Sequence, residues 1–289
     1  MAGVPLAEAG PLLERLRPAV LFADVDGTLV GRAGSLLADL EGRPTLTAAA
    51  ALVAAARGGL EVVPVSGRNR LQLREACRLL GLRDAIAELG TVLVRGGEAE
   101  LRWGDAPRDL GATPAEALER SGALATVLAG FPGRLEPHAP WHLGREGTVL
   151  LRGQVDPAAA GALLAERGLG WARLLDNGRL RGAYPHLGPG PTHAYHLLPA
   201  GVSKAATAAA YLAARGLRPE QAAAVGDAPA DLELARVAGA MFLVANGAWA
   251  AAEAGAAVTA IVTPSPAGEG FAEVVTSLLA GRGGAVPAG

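Results

Sequence analysis

The chain has 289 residues, of which 51% are apolar, and its formal net charge is −2. This length allows a large buried core without disulfides, and the single cysteine, Cys77, excludes an internal bridge. The small net charge, without blocks of like charge, argues against nucleic acid or a membrane surface as a partner. The longest apolar run, residues 46–56, is too short to span a bilayer, and no signal-peptide pattern opens the sequence. We therefore expect a cytoplasmic protein.

The two ends of the chain alternate apolar runs with helical patterns. Residues 4–17 predict a short amphipathic helix. The unbroken apolar run at residues 19–23 predicts a strand buried on both faces, as in a parallel sheet. Similar runs predict strands at 60–65, 222–225, 240–245 and 256–262. Helical patterns lie at about 47–57, 69–80, 203–215, 229–238 and 268–280. Strands that alternate with helices predict an α/β sheet with right-handed crossovers.

The middle of the chain has a different pattern. Hairpins are predicted over residues 91–103 and 171–184, the second with Asp176-Asn177-Gly178 at its turn. Helix-capping residues at Thr113 and Asp156 open helices that reach about residues 129 and 167. Further strands are expected at 147–152 and 193–198.

This change of pattern predicts an α+β module inserted into an α/β domain. We expect a discontinuous catalytic core of residues 1–90 and 200–289, and an insert of residues 91–199 that determines substrate specificity.

Polar side chains directly follow several predicted strands. Asp24 and Asp26 follow the first strand, Ser66 the second, and Asp227 a later one. In an open parallel sheet, ligands bind beyond the carboxyl ends of the strands. Asp24 and Asp26 are two residues apart, so both face one site, where one carboxylate can attack or bind metal while the other moves a proton. An Asp-Gly turn after a strand is the simpler interpretation of this segment.

Four segments, in this order, resemble the motifs of the haloacid dehalogenase (HAD) superfamily. They are residues 22–29 (FADVDGTL), 62–68 (VVPVSGR), 201–204 (GVSK) and 226–231 (GDAPAD). The third motif resembles the form typical of the Cof-like, class IIB members, and the position of the insert between the second and third motifs points to the C2 cap class. The resemblance covers roughly residues 18–263 and implies a Rossmann-like parallel sheet core with an inserted α+β cap.

The resemblance implies a magnesium-dependent phosphomonoester hydrolase. Asp24 would be the nucleophile that forms an aspartyl-phosphate, and Asp26 would protonate the leaving oxygen and later deprotonate the attacking water. Mg²⁺ would be held by the Asp24 carboxylate, the Asp26 main-chain carbonyl and Asp227, with Asp231 in support, directly or through water. Few protein carboxylates with retained waters are what magnesium prefers.

The resemblance assigns phosphate binding to Ser66, Gly67 and Lys204. Each has a simpler alternative, because Ser66 before a glycine can start a helix and Lys204 can be a solvated residue at a helix start. Asp231, one turn after Asp227, can likewise be a surface acid. Lys204 is the only lysine among 26 basic residues, which reflects either a lysine-poor composition or a site where arginine does not serve.

Two positions depart from the family pattern. Ala230 stands where an asparagine usually precedes the second aspartate of the fourth motif, and Leu89-Gly90 stands where an Asn-Gly pair often follows the third strand. Neither departure removes the nucleophile, the acid or a principal metal ligand. Both remove polar groups near the site, so they bear on rate and substrate choice.

Candidate specificity residues lie in the insert, which contains all five histidines, His138, His142, His186, His193 and His196. Their spacing does not suit a single structural zinc site. The Pro/Gly-rich segment 184–192 contains His186 and follows Arg179 and Arg181. It suits recognition of a sugar or a carboxylate, and equally a rigid surface loop with solvated arginines.

The resulting prediction is a hydrolase for a small phosphorylated metabolite, a sugar or polyol phosphate above all, that acts as a monomer or a homodimer. A phosphosugar mutase of the phosphomannomutase type is the enzymatic alternative, although no second phosphate cradle is visible. The third alternative is a HAD-like protein that only binds ligands. The presence of Asp24, Asp26, Lys204 and Asp227 argues against it.

Overall fold

A computed structural model describes residues 3–14, 16–180, 182–254 and 259–281. The chain divides into two compact units. Unit 1 comprises Met1–Ser66, Ala76–Ala85 and Ala208–Gly289, and unit 2 comprises Gly67–Glu75 and Ile86–Thr207. Unit 2 thus includes the predicted insert together with short segments on either side of it.

The strands and helices are numbered along the chain. The strands are β1 (Val4–Pro5), β2 (Val20–Ala23), β3 (Glu61–Pro64), β4 (Ala85–Ala87), β5 (Val92–Arg95), β6 (Glu98–Leu101), β7 (Leu135–Pro137), β8 (Val149–Gly153), β9 (Ala172–Arg179), β10 (His193–Pro199), β11 (Ala222–Gly226), β12 (Ala240–Leu243) and β13 (Ile261–Val262). The helices are α1 (Gly10–Leu13), α2 (Thr47–Arg57), α3 (Arg70–Leu80), α4 (Pro114–Arg120), α5 (Ala123–Gly130), α6 (Pro157–Glu166), α7 (Lys204–Ala214), α8 (Pro229–Leu232), α9 (Ala248–Ala254) and α10 (Ala267–Ala280).

Unit 1 is built on a parallel sheet whose described strands follow the order β1-β13-β12-β11-β2-β3. Every residue of β2, β11 and β12 is buried, as apolar runs in a doubly covered sheet require. Phe22 of β2 packs edge-to-face against Tyr211 of α7, with ring centroids 5.8 Å apart. Phe242 and Phe271 are fully buried in the same unit. The predicted α/β fold with a parallel sheet is therefore confirmed.

Unit 2 contains an antiparallel sheet in the order β7-β8-β10-β9 and a smaller sheet in the order β4-β5-β6. Helix α6 packs against β9 and α5. The core between these elements includes Val127, Leu151, Leu164 and Leu197. At its edge, the Tyr195 hydroxyl donates a hydrogen bond to the Val155 carbonyl at 2.9 Å, so the phenol is buried with its polar group paired.

Several predicted elements were wrong. The helix expected over residues 4–17 is instead β1, a single 3₁₀ turn at Leu6–Glu8 and the four-residue α1. Val4 pairs in parallel with Ile261 of β13, so tertiary pairing overrides the helical pattern. The predicted strand 256–262 lies partly outside the described residues, and β13 forms its end.

The hairpin predicted over residues 171–184 was also wrong. Strand β9 continues through Asp176-Asn177-Gly178 to Arg179 and pairs with β10, with a register shift between His193 and Tyr195. Asp176 Oδ1 accepts a hydrogen bond from the Gly178 amide at 2.8 Å, and Gly178 has φ +98°. The turn-forming residues therefore produce an irregularity within the strand instead of a reversal of the chain.

Candidate active site

The candidate site lies at the carboxyl edge of the parallel sheet in unit 1. Strand β2 lies between β11 and β3, so the residues that follow these strands emerge side by side. The Asp24 amide, just after β2, donates to the Val225 carbonyl of β11 at 2.9 Å. On the other side the Val65 amide donates to the Ala23 carbonyl at 2.8 Å and leads into the buried Ser66. The hydrogen bonds of the sheet thus extend to Asp24 and to Val65, the residue before Ser66.

A tight turn after β2 brings this edge towards Asp227. The Val25 carbonyl accepts amide hydrogen bonds from Leu29 at 3.1 Å and Val30 at 3.0 Å. Gly27 has φ +91°, and a Cβ at this position would collide with the Asp227 carboxylate. Glycine is therefore required both by the backbone conformation and by the close approach of Asp227.

Two side chains fix the orientation of the Asp227 carboxylate. Thr28 Oγ1 donates to Oδ1 at 3.2 Å, and Asn246 Nδ2 donates to Oδ2 at 3.2 Å and to the Gly27 carbonyl at 3.0 Å. Asn246 Oδ1 accepts from the Ala267 amide at 2.9 Å, which holds the side-chain amide itself in place. Neither Thr28 nor Asn246 was predicted as a site residue, although Asn246 also follows a buried strand, β12, and that signal was available.

Asp231 is completely buried and shapes the turn that carries Asp227. Its Oδ2 accepts hydrogen bonds from the Asp227 and Ala228 amides, each at 3.1 Å. The alternative interpretation of Asp231 as a surface acid was therefore wrong. Asp24, Asp227 and Asp231 each place one carboxylate oxygen within 4.8 Å of the others.

The three carboxylates fit a hard divalent cation. They offer only oxygen ligands, and a cation would offset the repulsion between negative charges held close together by the turns. The side chain of Asp26 is not part of this group, and the residue is exposed on the turn between β2 and Val30. This arrangement is compatible with the Asp26 carbonyl as the ligand and its carboxyl group as the proton carrier.

Gly67 and Lys204, the two other predicted phosphate ligands, belong to unit 2. Lys204 is the first residue of α7 and only 5% exposed, so the alternative of a solvated surface lysine was wrong. Ser203 caps this helix, since its hydroxyl accepts from the Ala206 amide at 3.1 Å. The Gly67 carbonyl accepts a hydrogen bond from Arg145 Nη1 at 3.0 Å.

The segment that departs from the family pattern has an unusual backbone. Glu88, Leu89 and Gly90 have φ values of +49°, +57° and +100°. Asparagine tolerates this conformation better than leucine, and Leu89 adopts it as a buried residue. Gly90 must be glycine because a Cβ would collide with the Ser203 carbonyl, next to Lys204.

The predicted specificity residues of unit 2 have separate surroundings. Arg179, at the end of β9, lines a cavity of about 910 Å³ together with Tyr184 and neighbouring Pro and Gly residues. His186 is exposed, and its Nε2 lies 3.1 Å from Glu136 Oε1. Burial alone would raise the pKa of Glu136, but the hydrogen bonds from His186 and Arg152 lower it. Arg181 lies outside the described residues. The specificity role of Arg179, Arg181 and His186 stays a prediction.

Within the described residues, no helix combines the length and the apolar character that crossing a bilayer requires.

Comparison with known proteins identifies the family. A family model described as haloacid dehalogenase-like hydrolase matches residues 189–275. A phosphoglycolate phosphatase from Methanoculleus marisnigri is 30% identical to this chain over 228 residues, which covers 78% of this chain and 83% of that protein.

Solved structures of low sequence identity share the fold. The sucrose-phosphatase from Synechocystis matches with a TM-score of 0.63 at 17% identity, over 91% of this chain and 98% of that one. A haloacid dehalogenase-like hydrolase from Bacteroides thetaiotaomicron matches with a TM-score of 0.59 at 14% identity, over 89% and 98% of the two chains. Together with the four motifs and the acidic site, these matches show that the chain is a phosphatase of Cof-like type and belongs to the haloacid dehalogenase-like hydrolase family.

Proposed function

We propose that this phosphatase is a magnesium-dependent phosphomonoester hydrolase for a small phosphorylated metabolite and that it acts through an aspartyl-phosphate on Asp24. One observation carries the proposal. Asp24 lies at the end of β2 within 4.8 Å, oxygen to oxygen, of Asp227 and Asp231, and hydrogen bonds fix both of these partners. A nucleophile held beside two ordered carboxylates suits in-line attack on a metal-bound phosphate.

The chemistry divides between Asp24 and Asp26. A carboxylate oxygen of Asp24 attacks phosphorus, the bond from phosphorus to the leaving oxygen breaks, and Asp26 gives its proton to that oxygen. Asp26 then accepts a proton from water. The water oxygen attacks phosphorus, the bond to Asp24 breaks, and inorganic phosphate leaves.

The remaining predicted residues bind and screen the phosphoryl group. Ser66 would donate through its hydroxyl, Gly67 through its backbone, and Lys204 would place a point charge on the phosphoryl oxygens. Mg²⁺ bound at Asp24, Asp227, Asp231 and the Asp26 carbonyl would reduce the repulsion between the nucleophile and the anionic phosphate.

We further propose the division of labour predicted from the sequence. Residues 1–90 and 200–289 would form the catalytic core, and residues 91–199 would form the cap that selects the substrate. Support comes from the separate antiparallel sheet and core of unit 2, which are not needed to build the acidic site of unit 1.

Two substrate classes are candidates. The sequence favours a sugar or polyol phosphate, whereas the curated relative is named for phosphoglycolate, a small phosphorylated acid. Phosphate release should be measured on a panel that contains phosphoglycolate, sugar phosphates, polyol phosphates and an aryl phosphate, with magnesium or with chelator. We expect magnesium-dependent release that Asp24→Asn abolishes.

The same panel distinguishes the alternatives. Conversion of one phosphosugar isomer to another, dependent on a bisphosphate and without phosphate release, would indicate a mutase. Binding without turnover of any substrate, including the aryl phosphate, would indicate a protein that only binds ligands.

A further inference from the structure

Gly67 is surrounded by side chains from three separate parts of unit 2. Arg145 Nη1 donates to its carbonyl at 3.0 Å. On its Cα, a Cβ would lie 3.2 Å from both Asn177 Nδ2 and His196 Nε2, closer than nine in ten Cβ contacts in proteins. The backbone at Gly67 is therefore enclosed by Arg145, Asn177 and His196.

Arg145 is itself fixed by several contacts. Its side chain is only 5% exposed, and its guanidinium lies 3.9 Å from Glu88 Oε2. Besides the Gly67 carbonyl, it donates to Thr148 Oγ1 at 3.2 Å and to the Trp141 carbonyl at 3.1 Å. A planar guanidinium with three fixed acceptors has one orientation, so it can hold the Gly67 carbonyl in one place.

The buried Glu88 anchors the segment that carries Arg145. Its carboxylate accepts amide hydrogen bonds from Glu146 at 3.1 Å, Gly147 at 3.1 Å and Thr148 at 3.0 Å, and a fourth bond from Thr148 Oγ1 at 3.0 Å. A fully buried carboxylate is stable only with such partners, so Glu88 and the segment following Arg145 form one rigid network.

The Thr148 hydroxyl sets the protonation of His196. When Glu88 is ionised, the hydroxyl gives its one proton to that carboxylate and accepts from Arg145 and from His196 Nδ1, which lies 3.1 Å away. His196 therefore carries its proton on Nδ1 and presents an unprotonated Nε2 towards Gly67. Burial, together with the charges of Arg145 and Lys204, lowers the pKa of His196 well below its usual value, which favours the same neutral form.

Two further links join the same segments. Asn69 Nδ2 donates to the Leu143 carbonyl at 3.0 Å, and Arg70 makes two hydrogen bonds to the Glu146 carboxylate. Residues 67–70 and 141–146 are thus connected at three points, with Arg145 at the point that touches Gly67.

We propose that Arg145 is a positioning residue for phosphate binding: by holding the Gly67 carbonyl it restricts the Gly67 backbone, so that the Gly67 amide, on the other side of the same Cα, stays in the geometry that receives a phosphoryl group. Glu88 acts through Arg145 as its anchor. The inference rests on the proposed function, since it takes Ser66 and Gly67 as phosphate ligands.

The test compares Arg145→Gln with Arg134→Gln. Arg134 also donates to a backbone carbonyl of unit 2, that of Gln154, so its variant is the matched control. For each protein, kcat and KM for two unrelated phosphomonoesters, the inhibition constant of inorganic phosphate and the thermal midpoint are measured. We expect Arg145→Gln to raise both KM values and the phosphate inhibition constant by a common factor of about ten or more, with a much smaller change in kcat.

A second variant tests the same proposal in case Arg145→Gln does not fold. Thr148→Val keeps the shape of the side chain and leaves the Arg145 bond to Gly67 possible, but it removes the hydroxyl that joins Glu88, Arg145 and His196. We expect a smaller rise of the phosphate inhibition constant in the same direction. Calorimetric binding of inorganic phosphate in the presence of magnesium gives the same comparison without turnover.

The outcomes separate the two proposals. A wild-type protein without metal-dependent phosphate release would contradict the proposed function. An active wild type, with Arg145→Gln and Thr148→Val lowering the thermal midpoint but leaving the phosphate inhibition constant at the Arg134→Gln value, would overturn the positioning role and leave only a structural one.

Discussion

Lys204 is the only side-chain amine in the chain, and it is almost fully buried at the start of α7. Amine-directed acylation can therefore modify only this residue and the N-terminus. If Lys204 binds the phosphoryl group, its acylation removes a charge from the site and activity should be lost in proportion to modification. Mass spectrometry of partly modified samples, with turnover measured on each, provides the test. Magnesium with phosphate should slow the modification.

Lys204→Arg is the companion variant. It keeps the positive charge but replaces a compact ammonium with a planar fork, so activity should still fall sharply if the amine has a defined position at the site. A fully acylated Lys204 with unchanged turnover would contradict its role.

His196 gives a prediction for stability against pH. Its folded pKa lies well below the ordinary value of 6.5, because the imidazole is buried near Arg145, Lys204 and His138. Below about pH 6.5 the unfolded chain therefore binds a proton that the folded chain refuses. Stability should fall as pH decreases, by at most about 1.4 kcal/mol per pH unit from this residue.

The free energy of unfolding should be measured by chemical denaturation between about pH 5 and pH 7, the range around the ordinary histidine pKa. His196→Asn, which can still donate to Thr148 through its amide, should show a shallower decline than the wild type. Equal slopes for the two proteins would contradict a neutral, buried His196.

Some of these residues could be predicted from the sequence and others could not. Asp24, Ser66 and Asp227 are recognisable because each follows a buried strand, and parallel strands bring their ends together. Glu88 and Arg145 had no such signal, since their partnership joins residues 57 positions apart and depends on tertiary packing. Their roles become visible only once the burial and the hydrogen bonds are known.

The turn after β12 affects the site through Asn246. This residue links Asp227, the Gly27 carbonyl and the first residue of α10. Asn246→Ala should leave Asp227 less ordered, so the magnesium concentration for half-maximal activity should rise severalfold, with kcat partly recovered at saturating metal.

Thr28→Val removes the hydrogen bond to the other oxygen of Asp227, Oδ1, and should likewise raise the magnesium concentration for half-maximal activity. Thr276→Val, on α10, removes only a hydroxyl bonded to the Ala272 carbonyl and serves as the matched control. Unchanged metal dependence in both site variants would show that the orientation of Asp227 does not limit metal binding.

The strand predictions were correct where burial on both faces of the sheet determines the sequence pattern. The apolar runs before Asp24 and Asp227 are strands, because only a doubly covered strand needs an unbroken apolar run. The prediction of a hairpin over residues 171–184 failed because one local sequence pattern is compatible with two structures. Asp176-Asn177-Gly178 supports a turn or a bulge equally well, and pairing with β10 selects the bulge.

For the whole molecule, a metal ion held by the acidic residues would link them to the proposed function. Removal of metal by chelation should abolish phosphate release, and added magnesium should restore it. Magnesium together with inorganic phosphate should also raise the thermal midpoint of the wild type, because ligands that bind only the folded state stabilise it. Asp227→Asn should weaken both effects. Full activity in excess chelator would contradict the metal site.

The proposed mechanism requires a covalent bond between phosphorus and Asp24. Acid quenching during turnover, followed by borohydride reduction and peptide mass spectrometry, converts an aspartyl-phosphate to homoserine at the position that carried it. Asp26→Asn should be used beside the wild type with an aryl phosphate, whose leaving group needs little protonation, because slower hydrolysis then lets the phosphorylated form accumulate. We predict homoserine at position 24, dependent on substrate and magnesium and absent in Asp24→Asn. Turnover with no modification at position 24, or with homoserine at another aspartate, would contradict the central claim.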